Sequence, residues 1–135
     1  MRKFEEVFLV DDDDIYAMVM KRFFEQAAFC HQYIYFSNGF EVKMELLKRE
    51  QAGLKPPSLI IMDLNMPIED GWNLVQAISE FAFLENTIVY LASSTSDPAD
   101  VAKVSRMNRV ERLLIKPINK EDLIAIKNKH THILI

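Results

Sequence analysis

The chain has 135 residues, half of them apolar and 27% charged, a globular composition that argues against intrinsic disorder. Sixteen Lys plus Arg against twenty Asp plus Glu give a net charge of −4, which argues against nucleic acid or an anionic membrane surface as a direct partner. No apolar stretch approaches the roughly 20 residues of a spanning helix, the start has no apolar signal region, and the single cysteine, Cys30, closes no intrachain disulfide. The expectation is one cytoplasmic domain over residues 1–135.

Short apolar runs alternate with amphipathic stretches along the chain. The runs are Val7–Val10, Tyr33–Phe36, Leu59–Met62, Ile88–Ala92 and Leu113–Ile115. Their β-branched and aromatic residues, without polar alternation, predict strands buried on both faces. Between them the apolar residues recur at helical spacing. Asp13-Asp14 caps a helix whose predicted core stripe is Ile15, Val19, Phe23 and Ala27, with a second stripe of Tyr16, Met20 and Phe24. Phe40, Met44 and Leu47 mark a second helix after Ser37-Asn38-Gly39, and Leu74, Val75, Ile78 and Phe81 a third after Gly71. Val101 and Val104 follow Asp97-Pro98, with the proline at a first helical turn. Leu123, Ile124 and Ile126 belong to a last helix from Asn119. Five β-α units predict a doubly wound α/β fold, a parallel sheet with helices on both faces. Sites in such sheets lie beyond the carboxyl ends of the strands.

Those ends carry polar chemistry. The first run ends in Asp11-Asp12-Asp13-Asp14, the third in Asp63 before Leu64-Asn65-Met66-Pro67, the fourth in Ser93-Ser94-Thr95 and the fifth in Lys116-Pro117. Each piece has a plain structural reading: a solvated acidic loop or helix cap, an ordinary turn, a solvated lysine. Asp63 is the odd one, because a carboxylate at the end of a buried strand needs a partner. Together they suit an oxygen-ligated Mg²⁺ beside an anionic nucleophile, with a lysine and a hydroxyl to hold phosphoryl oxygens. A calcium loop does not fit, since Tyr16 stands where such a loop needs glycine.

These residues carry a family resemblance. Val7–Asp13, the segment Met62-Asp63-Leu64-Asn65-Met66-Pro67 with Asp70-Gly71, Ser93 and Lys116-Pro117 together resemble a response-regulator receiver domain of two-component signalling, the chemotaxis-regulator fold, over essentially the whole chain. The resemblance implies a flavodoxin-like sheet of five parallel strands in the order 2-1-3-4-5 with five helices. It implies that Asp63 accepts a phosphoryl group, that Asp12 binds Mg²⁺ directly and Asp11 through water, and that Asn65 offers its backbone carbonyl. Lys116 pairs with Asp63 or the phosphoryl group, and Ser93 turns to the phosphoryl group once it arrives. The Lys116–Pro117 peptide is expected to be cis. Two departures stand out: Leu113 replaces the usual switch aromatic three residues before the lysine, and serine replaces the commoner threonine at Ser93.

The function expected is a stand-alone receiver that takes phosphate from a sensor histidine kinase or a histidine phosphotransfer protein and signals to a downstream protein. An apolar rim of Ile15, Tyr16, Pro117 and Ile118 is the expected docking place for the donor; the alternative is that the second stripe, Tyr16, Met20 and Phe24, is simply buried under the neighbouring last helix. Two other classes compete with this reading. A haloacid-dehalogenase-type phosphatase wants a second Asp where Asn65 stands and its nucleophile on the first strand. A receiver-shaped binding module that is never phosphorylated does not need the full set Asp11, Asp12, Asp63, Ser93 and Lys116.

Overall fold

The computed structural model describes residues 1–66, 71–95 and 97–135. Pro67 and Asp70, part of the loop segment read from the sequence, lie outside the described residues. The elements alternate strictly: β1 Phe4–Val10, α1 Asp14–Gln26, β2 Cys30–Phe36, α2 Gly39–Ala52, β3 Leu59–Asp63, α3 Gly71–Ser79, β4 Ile88–Ser93, α4 Pro98–Ser105, β5 Val110–Ile115 and α5 Lys120–Lys129. The five strands are all parallel, in the order β2-β1-β3-β4-β5, as the resemblance implies.

Local chemistry accounts for the helix ends. Asp13 caps α1 by accepting from the amides of Ile15 at 3.0 Å and Tyr16 at 3.1 Å. Asn38 caps α2 through the Glu41 amide at 2.9 Å, and Gly53 at φ 71° ends it in the left-handed conformation that glycine adopts without cost. Asp97 caps α4 ahead of Pro98. Asn119 and Asp122 form a reciprocal capping box at the start of α5.

The sheet separates two apolar layers. On one face Val7, Leu9, Leu59, Ile61, Tyr90 and Ala92 pack against α1 and α5. On the other, Phe8, Val10, Ile60, Met62, Val89 and Leu91 pack against α2, α3 and α4. The central strands are buried on both faces, as their composition predicts. The outer two are not: β2 exposes His31 and Gln32, and β5 exposes Glu111, Arg112 and Ile115. The exposed pairs lie toward the amino ends of these edge strands, while Leu113 and Leu114 of β5 still bury one side chain in each apolar layer.

Two helices are rotated from the sequence expectation. In α1 the buried residues are Ala17, Met20 and Phe24, with Ala27 just beyond, whereas Ile15 is 75% and Val19 44% exposed. The second stripe therefore faces the core. In α2 the buried residues are Gly39, Val42 and Leu46, and the expected stripe of Phe40, Met44 and Leu47 is exposed. Both helices carry two apolar stripes, and helical spacing alone does not choose between them. The connections to the flanking strands and the neighbouring helix do. Val101 in α4 and Ile124 in α5 likewise turn outward, leaving Val104, Leu123 and Ile126 as the core residues.

Candidate functional site

Strand register assembles the acidic rim. Val10 lies opposite Met62, so the residues immediately after them, Asp11 and Asp63, leave adjacent strands at the same level. Asp63 is opposite Ala92 and Ser93 opposite Ile115, which brings Ser93 and Lys116 to the same rim. Asp11 and Asp63 are buried, and Ser93 is fully buried, while Asp12 is exposed.

The carboxylates are individually satisfied. Asp11 Oδ1 accepts the Asp13 amide at 2.9 Å, and Asp11 Oδ2 is 2.7 Å from Lys116 Nζ. Asp63 Oδ1 accepts the Asn65 amide at 2.9 Å, and Asp63 Oδ2 is 3.3 Å from the same ammonium. Lys116 thus bridges the two buried carboxylates. Burial pushes the Asp11 carboxyl above its ordinary value, against the hydrogen bonds from Lys116 and Asp13. Burial acts to lower Lys116, but its bonds to Asp11 and the charge of Asp63 outweigh that and hold the ammonium above its usual value.

Among the described residues, one carboxylate oxygen each from Asp11, Asp12 and Asp63 lie within 4.8 Å of one another. Such a set of hard oxygen donors, two buried and one open to solvent, fits a small divalent cation that retains several waters. Asp11 already uses both oxygens on protein partners, which leaves Asp12 the more available ligand.

Ser93 is held by the side chain of Asn65, for which the family resemblance implies only a backbone role. The Ser93 hydroxyl donates to Asn65 Oδ1 at 2.9 Å, and Ser93 Oγ accepts the Thr95 amide at 3.2 Å. The available signal was register: Asn65 lies two residues past Asp63, next to the strand that ends in Ser93. The Lys116–Pro117 peptide is cis. Leu113 is buried with Leu91 and Val104 on the α4 side of the sheet.

The expected docking rim is smaller than the sequence suggested. Ile15 and Pro117 are exposed, but Ile118 is fully buried in the layer beneath α1 and α5. It precedes Asn119, the capping residue of α5, and shares an apolar cluster with Leu123 and Ile126 of that helix. Tyr16 is half-buried: Lys116 Nζ lies 4.3 Å from its ring centroid, and its hydroxyl accepts the Ile118 amide at 3.3 Å. Tyr16 therefore supports the lysine from below, and burial raises its own pKa. No helix of the described residues is long and apolar enough to cross a membrane.

Known proteins align with this arrangement. The family model for the response regulator receiver domain matches residues 7–128. The chain is 31% identical over 118 residues to the "Probable methanogenesis regulatory protein FilR2" of Methanothrix harundinacea (strain 6Ac), covering 87% of this chain and 75% of that protein. It is 31% identical over 115 residues to the "Probable C4-dicarboxylate response regulator DctR" of Priestia megaterium, covering 85% of this chain but 46% of that one. Among solved structures, a two component response regulator from Cytophaga hutchinsonii superposes with a TM-score of 0.87 at 29% identity, over 97% of this chain and 99% of the other. With its strand order, its acidic rim and a match over nearly its whole length, the chain belongs to the response regulator receiver domain family of two-component signalling.

Proposed function

We propose that Asp63 accepts a phosphoryl group from a phosphohistidine on a sensor histidine kinase or histidine phosphotransfer protein. An Asp63 carboxylate oxygen forms a bond to phosphorus as the donor's nitrogen–phosphorus bond breaks, in line, and the imidazole leaves with its electron pair. Asp63 is prepared for this by the Asn65 amide, which fixes the carboxylate plane, and by Lys116, which offsets negative charge beside it. Asp12, Asp63, the Asn65 main-chain carbonyl and, through water, Asp11 would hold Mg²⁺. Bound there, the ion supplies charge neutralisation between two anionic reactants. Lys116 and the Ser93 hydroxyl would then bind phosphoryl oxygens, Ser93 exchanging its bond to Asn65 for one to the phosphoryl group.

The exposed part of the rim, Ile15 and Pro117 beside the half-buried Tyr16, is the surface against which a donor helix would pack. The phosphorylated form would signal by contact with a downstream protein. This reading sets the chain in the cytoplasm, where Cys30, its thiol pushed up to about 12 by burial, stays protonated.

The observation that carries the proposal is the convergence of Asp63, Lys116 and Ser93 with the Asp11–Asp12 pair at one strand-end rim. Incubation with acetyl phosphate and Mg²⁺, followed by intact mass, tests it. A gain of one phosphoryl group, abolished by chelator, is expected. An unchanged mass with both acetyl phosphate and a phosphohistidine protein as donor would favour a binding module instead.

A further inference from the structure

The outward stripe of α2 has an order that its burial does not explain. Phe40, Met44 and Leu47 are 66%, 52% and 44% exposed, on the helix face opposite Val42 and Leu46. With exposed Gln51 they fall at spacings of four, three and four, the spacing of a seam between paired helices. The stripe runs between two apolar grooves. One, of about 470 Å³, is lined by Phe36, Phe40 and Met44, and the other, of about 320 Å³, by Leu46, Leu47, Ile78 and Phe81. Both leave room for side chains beside the stripe, with the charges of Glu41 and Lys48 at the edge of the first and Lys43 at the edge of the second.

The charges beside the seam select the occupant. Glu41 and Lys48 flank it on one side, Lys43 and Glu50 on the other. In an antiparallel pair of identical helices, residues on the same flank meet. Met44 then packs against Leu47 of the second copy, Glu41 faces that copy's Lys48, and Lys43 faces its Glu50. All four pairs generated by the two-fold axis are of opposite sign. A parallel pair would set Lys43 against Lys48, like against like. A surface that is its own complement under a two-fold axis is what an isologous interface requires, and an unrelated partner gives no reason for this sign pattern.

We propose that α2 is a self-association surface, on which a second copy of this chain docks antiparallel through Phe40, Met44 and Leu47. The seam is short, about 16 Å from Phe40 to Gln51 at the helical rise, so the dimer is weak and reversible. It lies on the sheet face opposite α1 and α5, and so leaves Ile15 and Pro117 uncovered for a phosphoryl donor.

Sedimentation equilibrium of the whole chain, from micromolar to millimolar concentration, tests the proposal without any phosphoryl donor. A reversible monomer–dimer equilibrium is expected. Glu41→Lys should weaken it about tenfold, because the two-fold axis turns one reversal into two repulsive pairs. Adding Lys48→Glu should return association to the wild-type range. Circular dichroism checks that these exposed substitutions leave the fold intact. A monomer at every concentration, a dimer indifferent to Glu41→Lys, or a double variant no better than the single one would overturn the proposal.

Discussion

Lys116 Nζ lies 2.7 Å from Asp11 Oδ2, closer than to the candidate phosphoacceptor. The lysine therefore serves first as counter-ion to a carboxylate that is only 2% exposed. A cation bound by the same carboxylates would take over part of that role.

Replacing Lys116 separates the two roles. Lys116→Met keeps the aliphatic stem against Tyr16 and removes the charge, leaving Asp11 buried without its counter-ion. Without metal the variant should lose about 3 kcal/mol of stability in urea unfolding. It should also bind Mg²⁺ about tenfold more tightly by calorimetry, because the repelling ammonium is gone. Adding Mg²⁺ should then recover more stability in the variant than in the wild type. Equal Mg²⁺ affinities would show that the ammonium does not act on the cluster.

The Ser93–Asn65 bond predicts a graded series. Asn65→Ala leaves the fully buried Ser93 hydroxyl without its acceptor and should cost about 1 kcal/mol. Asn65→Asp keeps an acceptor and should recover most of that loss. Chemical denaturation of the three proteins orders them, and equal midpoints would mean that water satisfies Ser93 as well as Asn65 does.

His130 gives stability a pH dependence in mild acid. It is buried, with Nε2 at 2.8 Å from the Tyr90 hydroxyl. Burial depresses its pKa below the ordinary 6.5, against the pull of Glu111 and aided by Lys129 and His132. A depressed folded-state value means the stabilisation is complete above 6.5 and is lost as pH falls through the folded value. The urea midpoint should therefore fall from pH 7 to 5, and His130→Gln should flatten that slope. An unchanged slope in the variant would assign the pH dependence to other groups.

The rotation of α1 is tested by two truncations. Met20→Ala, in the core, should cost about 3 kcal/mol. Val19→Ala, beside it in sequence and turned outward, should change stability by less than about 0.5 kcal/mol. The reverse order would restore the stripe of Ile15, Val19 and Phe23 as the buried one.

These contrasts mark what the sequence carries. The strands, their parallel arrangement and the polar residues at their ends were legible, because a buried parallel strand is a continuous apolar run and a polar residue ending it stands out; the strand order came from the family resemblance. Asp63 needed only its position at the end of Leu59–Met62 to be noticed. Helix rotation was not legible where two apolar stripes compete, as in α1 and α2, since rotation is fixed by neighbours distant in sequence. The role of the Asn65 side chain was hidden for the same reason, for its partner Ser93 lies 28 residues away. Ile118 reads as a rim residue from its place after Lys116-Pro117, yet it is fully buried in one cluster with Leu123 and Ile126 of α5, a helix that begins two residues later.

The central claim is that Asp63 is the acceptor, and mapping the modified residue tests it most directly. Borohydride reduces an aspartyl phosphate to homoserine, so protein phosphorylated with acetyl phosphate and Mg²⁺, reduced and digested, should show that conversion at Asp63. The Asp63→Asn variant should show none under the same treatment. Conversion at Asp11 or Asp12 in the wild type, or phosphorylation undiminished in Asp63→Asn, would contradict the account.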